Sequence, residues 1–434
     1  MFPLSNMLRS FVRAGTLKVI DAEGGTHTFG GEKPGPNVTM RLTDRSLYHK
    51  LFLNPELHAG EAYMDGRMSF EDGSNLRDFL NLFSMNRSSL ANYPLQSVLK
   101  RISRGVKRFQ QANPVGKAQQ NVAHHYDLGN DFYKLFLDKG MQYSCAYFVN
   151  DDETLEEAQQ NKLRLIASKL RLKPGLKVLD IGSGWGDLAL YLAAMEDVDV
   201  TGVTLSKEQY ELSNEKARRA GLSHRVRFEL LDYRKVDKRF DRIVSVGMFE
   251  HVGVNHYRTF FDKSATLLKP DGVMLLHTIG RSGVPWATSA FIRKYIFPGG
   301  YIPSLSEVMP AIEKSGLVVT DVEILRLHYA DTLKHWGERF AANRDKAKAI
   351  YDERFCRMWE FYLAASEAAF RWQDLVIFQI QIAKKNDTLP MTRDYMAKCE
   401  KALEMRDMGH RETAPVKKSP AAKPVRRRKV ADQE

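Results

Sequence analysis

Apolar and polar positions along the chain follow two different rhythms. In the second half, short apolar runs alternate with amphipathic stretches. Residues 178–181, 198–203, 226–231, 240–246 and 273–279 read as strands, and 188–193, 206–220 and 256–268 between them as helices. Regular alternation of this kind predicts a parallel-type sheet with helices on both faces. Ahead of it, residues 153–170 have helical spacing, with apolar positions at 155, 158, 163, 166 and 170. After it, residues 311–323 resume the helix-strand pattern, 333–370 read as one long helix and 376–382 as a last strand. Residues 286–304 break the rhythm with Trp286, Phe291, Ile292, Tyr295, Ile296, Phe297 and Tyr301 among glycines and prolines. They are either a cover for an apolar substrate or a buried helix and loop.

The first half is patterned differently. Residues 17–29 alternate around Glu23-Gly24-Gly25, which predicts a hairpin, and 38–42 read as a strand. Residues 44–53 read as a helix capped by Asp44, 60–66 as turn-rich, and 75–83 as a further helix. From Pro94 a helical pattern puts Leu95, Val98, Leu99, Ile102, Val106 and Phe109 on one face. Lys100, Arg101, Arg104, Lys107 and Arg108 fall on the other. Such a helix either lies on an anionic membrane surface or packs as a strut between domains. The expected organisation is a small α+β domain over 1–90, a basic helix and linker over 91–120, a catalytic domain over 121–405, and a basic tail over 406–434. The tail is rich in Pro, Ala and Lys and reads as disordered.

Composition narrows the function classes. The net charge is +12, and from Ala414 onward seven basic residues face two acidic ones. A basic body suits an anionic partner, nucleic acid or lipid surface. No stacking platform or nucleic-acid module is visible, so nucleic acid is not expected. No apolar run reaches the ~20 residues of a membrane span, and the first residues do not read as a secretory leader. Cys145, Cys356 and Cys399 are scattered and odd in number, which argues for a reducing compartment and against disulfides or a zinc cluster. The neighbours His124 and His125 point apart, and no metal is expected.

The candidate chemistry centres on Val178-Leu179-Asp180-Ile181-Gly182-Ser183-Gly184-Trp185-Gly186-Asp187, a strand, a turn and the start of a helix. Gly182 and Gly184 allow a ligand to approach bare backbone. The third glycine of a dinucleotide fingerprint is replaced by Asp187, which favours a ligand without pyrophosphate. The turn resembles the first motif of S-adenosylmethionine-dependent methyltransferases. Ligands in such sheets sit beyond the strand tips. That singles out 182–186, Thr204-Leu205-Ser206, Asp232-Tyr233, 248–251 and 277–279.

Six motifs occur in order: Tyr143-Ser144-Cys145, the glycine turn, Thr204 to Gln209, Gly247 to His251, Leu276 to Gly280, and His328 to Leu333. Together they resemble the cyclopropane-fatty-acyl-phospholipid synthases and the related enzymes that cyclopropanate mycolic acids, over residues 11–400. The N-terminal region resembles that of the two-domain bacterial type, which acts on membrane phospholipid. The resemblance implies a Rossmann-like class I methyltransferase fold, a seven-stranded parallel-type sheet with helices on both faces, plus the small N-terminal α+β domain. It implies S-adenosylmethionine beside Asp180, Gly182 and Gly184, with Thr204, Leu205 and Gln209 at the ribose. Asp232 and Tyr233 would face the adenine, and Tyr143 and Ser144 the methionine carboxylate.

The reaction needs more than a cofactor. An alkene attacking a sulfonium methyl becomes a carbocation, and ring closure then requires a base in a dry apolar pocket. In the family that base is bicarbonate. The resemblance gives its cage as Cys145 and Ile279 through backbone, His277 and Tyr329 through side chains, and Glu250 through a shared proton. Tyr147 or Phe249 would offer aromatic faces to positive charge. Singly, Cys145 reads equally as a buried thiol and His277 as a core histidine. Rival functions are methylation or methylenation of the same double bond without ring closure, an amine methyltransferase, or a lipid-binding protein without catalysis. The expected location is cytoplasmic, peripheral to the inner face of a membrane. Oligomeric state is open, a homodimer included.

Overall fold

The structure, a computed structural model, describes residues 1–91 and 128–413. The basic segment from Leu95 to Phe109, the linker, His124, His125 and the chain beyond 413 lie outside the described residues. Residues 1–91 build a four-stranded sheet ordered β2-β1-β3-β4 from β1 (Ala14–Ile20), β2 (Thr26–Gly30), β3 (Lys33–Leu42) and β4 (Met68–Glu71). The predicted hairpin is β1 with β2, closed by Asp21, whose Oδ1 accepts from the N–H groups of Glu23 and Gly25. Around the sheet lie α1 (Leu4–Phe11), α2 (Ser46–Leu53), α3 (Pro55–Met64), α4 (Leu76–Met85) and α5 (Arg87–Ala91).

Two expectations here are corrected. Asp44 stands one residue outside the cap position of α2, which Arg45 occupies, and accepts from Ser46 N–H at 2.8 Å. The stretch 60–66 is mostly helix. Asn54 caps α3, Pro55 opens it, and the chain turns only at Asp65-Gly66. Gly60 is there for packing, since a Cβ would stand 2.3 Å from the ring of Phe291.

The second sheet has seven strands in the order β10-β11-β9-β8-β5-β6-β7. In chain order the remaining elements are α6 (Asn130–Tyr133), α7 (Leu155–Leu170), β5 (Lys177–Ile181), α8 (Asp187–Glu196), β6 (Asp199–Thr204), α9 (Lys207–Arg219), β7 (Val226–Leu230), β8 (Phe240–Val246), α10 (Tyr257–Leu267), β9 (Leu268–Arg281), α11 (Leu305–Lys314), β10 (Val318–Leu325), α12 (His328–Ala342), α13 (Arg344–Ile350), α14 (Glu353–Trp372), β11 (Leu375–Ala383) and α15 (Asp394–Thr413). Strands β5 to β9 pair in parallel, as alternation predicts, and β11 runs antiparallel to both neighbours.

The long helix expected over 333–370 is three helices. Asn343 Nδ2 donates to the carbonyls of Leu135 and Arg339, and Asp352 accepts from Phe355 N–H at 2.7 Å, capping α14. Each side chain offers the backbone an alternative to continuing the helix. At the other end, α15 runs past residue 405 into the predicted tail. Buried Asp407 holds it, accepting from Arg164 and Gln160.

Separate apolar clusters pack against the seven-stranded sheet. A third, the largest, runs without a break from the four-stranded sheet through α3, α4, α12 and α14. A cavity opens where this cluster meets the tips of β8, β9 and β11.

Candidate active site

The tip of β5 supplies the first wall of a site. Gly182 and Gly184 have φ of +81° and +54°, the left-handed region where glycine is at ease. A Cβ on Gly184 would meet nothing within 4 Å, so this backbone faces open space. That space is a cavity of about 170 Å³ beyond β5, β6 and β7. It is lined by Tyr143, Ser144, Asp180, Gly182, Gly184, Thr204, Leu205, Gln209, Asp232 and Tyr233, the full set expected at the cofactor.

Its polar groups are ordered by the protein. Thr204 Oγ1 donates to Gln209 Oε1 at 2.8 Å, and Arg234 grips both oxygens of Asp232 at 2.9 and 2.6 Å. Burial works to raise the Asp232 carboxyl, but its hydrogen bonds to Arg234 outweigh it and hold the group below its usual range. Asp180 has no such partner, and burial raises it to about 7 with Lys162 working against the rise. Lys162 donates to Ser144 Oγ at 2.9 Å and is lowered by burial to about 8.

A second cavity, about 210 Å³, adjoins the first. Its walls are mainly apolar: Pro55, Ala59, Phe79, Leu80 and Phe83 from α3 and α4, Phe291, Ile292, Phe297 and Ile302 from the stretch after β9, and Phe361, Tyr362, Ala365 and Phe370 from α14. Both readings of residues 286–304 hold in part: Ile292–Ile296 form a short helical turn, Phe291, Ile296 and Tyr301 are buried, and the stretch walls the cavity. Tyr143, Ser144, Gly247 and His251 line both cavities and form their common wall.

Cys145, Glu250, His277, Ile279 and Tyr329 all line this second cavity. Glu250 follows β8, and its Oε1 accepts from Ile279 N–H at 2.6 Å, so that N–H is committed to orienting the carboxyl. Its Oε2 is buried without a partner, and burial raises the group to about 7. His277, on β9 and 1% exposed, has Nδ1 at 3.0 Å from Gln379 Nε2, while its Nε2 is buried without a partner. Burial first, then Lys162 and Lys169, lower it to about 3, so the ring is neutral at physiological pH. The Cys145 thiol donates to Ala146 O at 3.1 Å and is pushed up by burial, which makes it a poor nucleophile. Tyr329, on α12, packs against Trp336 and Phe370. Tyr147 lies outside the cavity, its ring against His328, and Phe249 is fully buried against Tyr257.

Glu250 Oε2 and His277 Nε2, with Arg281 Nε, are buried polar atoms without a partner on residues that line this mainly apolar cavity. Buried polar atoms in folded proteins nearly always have a partner. A small group bearing both a hydroxyl and anionic oxygens would suit a carboxyl near pH 7 and a neutral imidazole, and bicarbonate has that donor set.

Sequence reading passed over Lys162, Gln379 and the cavity wall from α3 and α4, whereas His251 stood within the strand-tip motif 247–251. A signal existed for two of them. Lys162 and Gln379 are polar residues at buried positions of a helix and an apolar strand, where side chains are expected to be apolar.

Residues 115–380 match the family described as mycolic acid cyclopropane synthetase. The chain is 40% identical over 350 residues to the cyclopropane-fatty-acyl-phospholipid synthase of Escherichia coli (strain K12), covering 80% of this chain and 87% of that one. It is 34% identical over 376 residues to the tuberculostearic acid methyltransferase UfaA1 of Mycobacterium tuberculosis, covering 84% and 86%. The crystal structure of mycolic acid cyclopropane synthase CmaA1 complexed with SAH and CTAB aligns with a TM-score of 0.59 at 38% identity, covering 63% of this chain and 99% of that one. The chain thus belongs to the mycolic acid cyclopropane synthetase family, as a methyltransferase of the class I, S-adenosylmethionine-dependent fold.

Proposed function

We propose that this enzyme adds a methylene group from S-adenosylmethionine across the cis double bond of an acyl chain in a membrane phospholipid, forming a cyclopropane ring. The observation that carries the reading is the common wall of Tyr143, Ser144, Gly247 and His251. Through it the cavity at the strand tips meets a mainly apolar cavity whose lining holds unpartnered polar atoms of Glu250, His277 and Arg281.

In this reading the Gly182–Gly184 backbone, Asp180, Thr204, Leu205, Gln209, Asp232 and Tyr233 hold the cofactor, with Tyr143 and Ser144 at its methionine end. The apolar walls take the acyl chain and exclude water, which keeps a cationic centre from being quenched. Glu250 exchanges a proton at Oε2, with Oε1 fixed by Ile279, and His277 presents Nε2. Cys145 and Tyr329 close the cage. When bound there, bicarbonate supplies a proton acceptor small enough to sit beside the reacting carbon.

The region 1–90 is read as the lipid-associated unit, because α3 and α4 wall the apolar cavity, and 121–405 as the catalytic unit. The basic segment in 91–120 would hold the enzyme on the cytoplasmic face of an anionic membrane. The likeness to a tuberculostearic acid methyltransferase supports one other reading, a methyl branch in place of a ring.

The test is mass spectrometry of total fatty acids from a host lacking such an enzyme, with and without this chain. Cyclopropanation adds one CH2 to monounsaturated chains, and the product resists mild hydrogenation. A product of that mass which takes up hydrogen is a methylenated chain, and a saturated methyl branch is told apart by its mass, two hydrogens heavier. Unchanged fatty acids refute lipid transfer.

A further inference from the structure

His277 serves the cage through Nε2, and whether that nitrogen donates or accepts depends on where the neutral ring keeps its one hydrogen. The surroundings decide this. On the seven-stranded sheet, Glu323 of β10, Gln379 of β11 and His277 of β9 stand directly opposite one another in register, a single row across three strands. Lys169, from α7, lies over that row. Its ammonium donates to Gln379 Oε1 and is paired with Glu323. Lys169, Gln379 and His277 are each 1% exposed.

The ammonium has hydrogens to give and no lone pair, so it fixes the orientation of the Gln379 amide. The amide oxygen faces Lys169, and the NH2 group faces His277 Nδ1 at 3.0 Å. Nδ1 therefore accepts, and the ring hydrogen resides on Nε2, the atom left unpartnered toward the cavity. A buried ammonium and amide, paired with the partly exposed carboxylate of Glu323, add little stability over apolar residues of the same size. Their arrangement makes sense as a device that dictates a tautomer.

We propose that Gln379 is a positioning residue which, backed by Lys169 and Glu323, locks His277 as the Nε2–H tautomer and so aims a hydrogen-bond donor into the anion cage. The proposal rests on reading that cavity as a bicarbonate site, and its test separates the two.

Gln379→Glu is nearly isosteric and keeps a partner for Lys169, but it offers an acceptor where Nδ1 now finds a donor. The full-length enzyme is labelled with ¹⁵N-histidine, and the His277 resonances are assigned by their loss in His277→Asn. The parent should show a protonated Nε2, and Gln379→Glu a protonated Nδ1. In degassed buffer titrated with bicarbonate, Gln379→Glu should need roughly tenfold more or higher for half-maximal turnover, as for one lost hydrogen bond to an anion. Calorimetric affinity for S-adenosylmethionine should not move. If Gln379→Glu folds poorly, Lys169→Met tests the same point, because the freed amide should give a mixture of tautomers. An unchanged Nε2–H signal in both variants overturns the proposal. So does a tautomer switch that leaves the bicarbonate requirement unaltered. A parent indifferent to bicarbonate overturns the anion site instead, and the positioning of His277 then stands or falls on the tautomer alone.

Discussion

Glu250 has two unlike oxygens on one carboxyl, one pinned by the N–H of Ile279 and one buried with no partner. The consequence is a stability that depends on pH in a calculable direction. In the unfolded chain the group ionises at its ordinary value of 4.5, and in the folded protein burial moves it to about 7. Between those two values the folded state keeps a proton that the unfolded state has lost, so stability falls as pH rises through the window and is level above it. The size is up to about 3 kcal/mol, from the shift times the energy of one pKa unit. Glu250→Gln removes this titration, so its stability relative to the parent should climb across the same window. Asp180 is also raised by burial, but it is common to both proteins and cancels. Urea unfolding at several pH values checks this, and a pH-independent difference would refute it. The same substitution should leave cofactor affinity intact and lower turnover by the roughly 10²–10⁴ of a lost general base. Bicarbonate added to degassed buffer should restore part of that loss.

Among the elements, the strand-turn-helix at β5 and α8 takes the shape its sequence predicts, with its glycine turn at the edge of a cavity. The Gly184 position makes the point testable. A side chain there would meet no protein atom, but its backbone is left-handed at +54° and it faces the cofactor cavity. Gly184→Val should therefore fold with a loss of about 1–2 kcal/mol for the strained backbone, and its cofactor affinity should fall sharply. Calorimetry with unchanged affinity would show that the turn is not the cofactor's seat. Elements of this kind were legible because buried parallel strands are continuous apolar runs, and each is closed by its own punctuation. Other elements were not. Helix α3 carries Gly60 for the sake of Phe291 and Phe361, rings that arrive from far along the chain, so a local reading takes the glycine for a turn. The breaks at Asn343 and Asp352 depend on partners that spacing alone does not reveal. The residues proposed for the cage come from an ordered set of motifs and do line one cavity, whereas the row from Glu323 to His277 exists only once three strands are in register.

At the scale of the whole molecule, the apolar cavity needs a route for its substrate. Among the described residues no helix is long and apolar enough to cross a membrane. If the substrate is the acyl chain of a membrane phospholipid, as proposed, its double bond lies deep in the bilayer, and the chain would have to leave the lipid to enter the cavity walled by α3, α4 and α14. On that reading the protein would rest on the surface while the transfer happens. The segment from Leu95 to Phe109 follows α5 directly, and α5 itself follows the helix that supplies Phe79, Leu80 and Phe83 to the cavity. Its basic residues are therefore only a short length of chain away from one wall of the cavity. Each basic side chain near an anionic surface contributes about 1 kcal/mol. Reversing Lys100, Arg101, Arg104, Lys107 and Arg108 to Glu should abolish sedimentation with anionic vesicles, and the parent's binding should weaken steeply with added salt. Cofactor affinity and turnover of a detergent-dispersed unsaturated lipid should be retained, if the segment serves only to bring the enzyme to its lipid. If the reversed protein still sediments with the vesicles, the segment is a strut within the molecule, and the surface that meets the membrane must be sought elsewhere. If it loses turnover on dispersed lipid as well, the segment takes part in holding the acyl chain and not merely in bringing the enzyme to it.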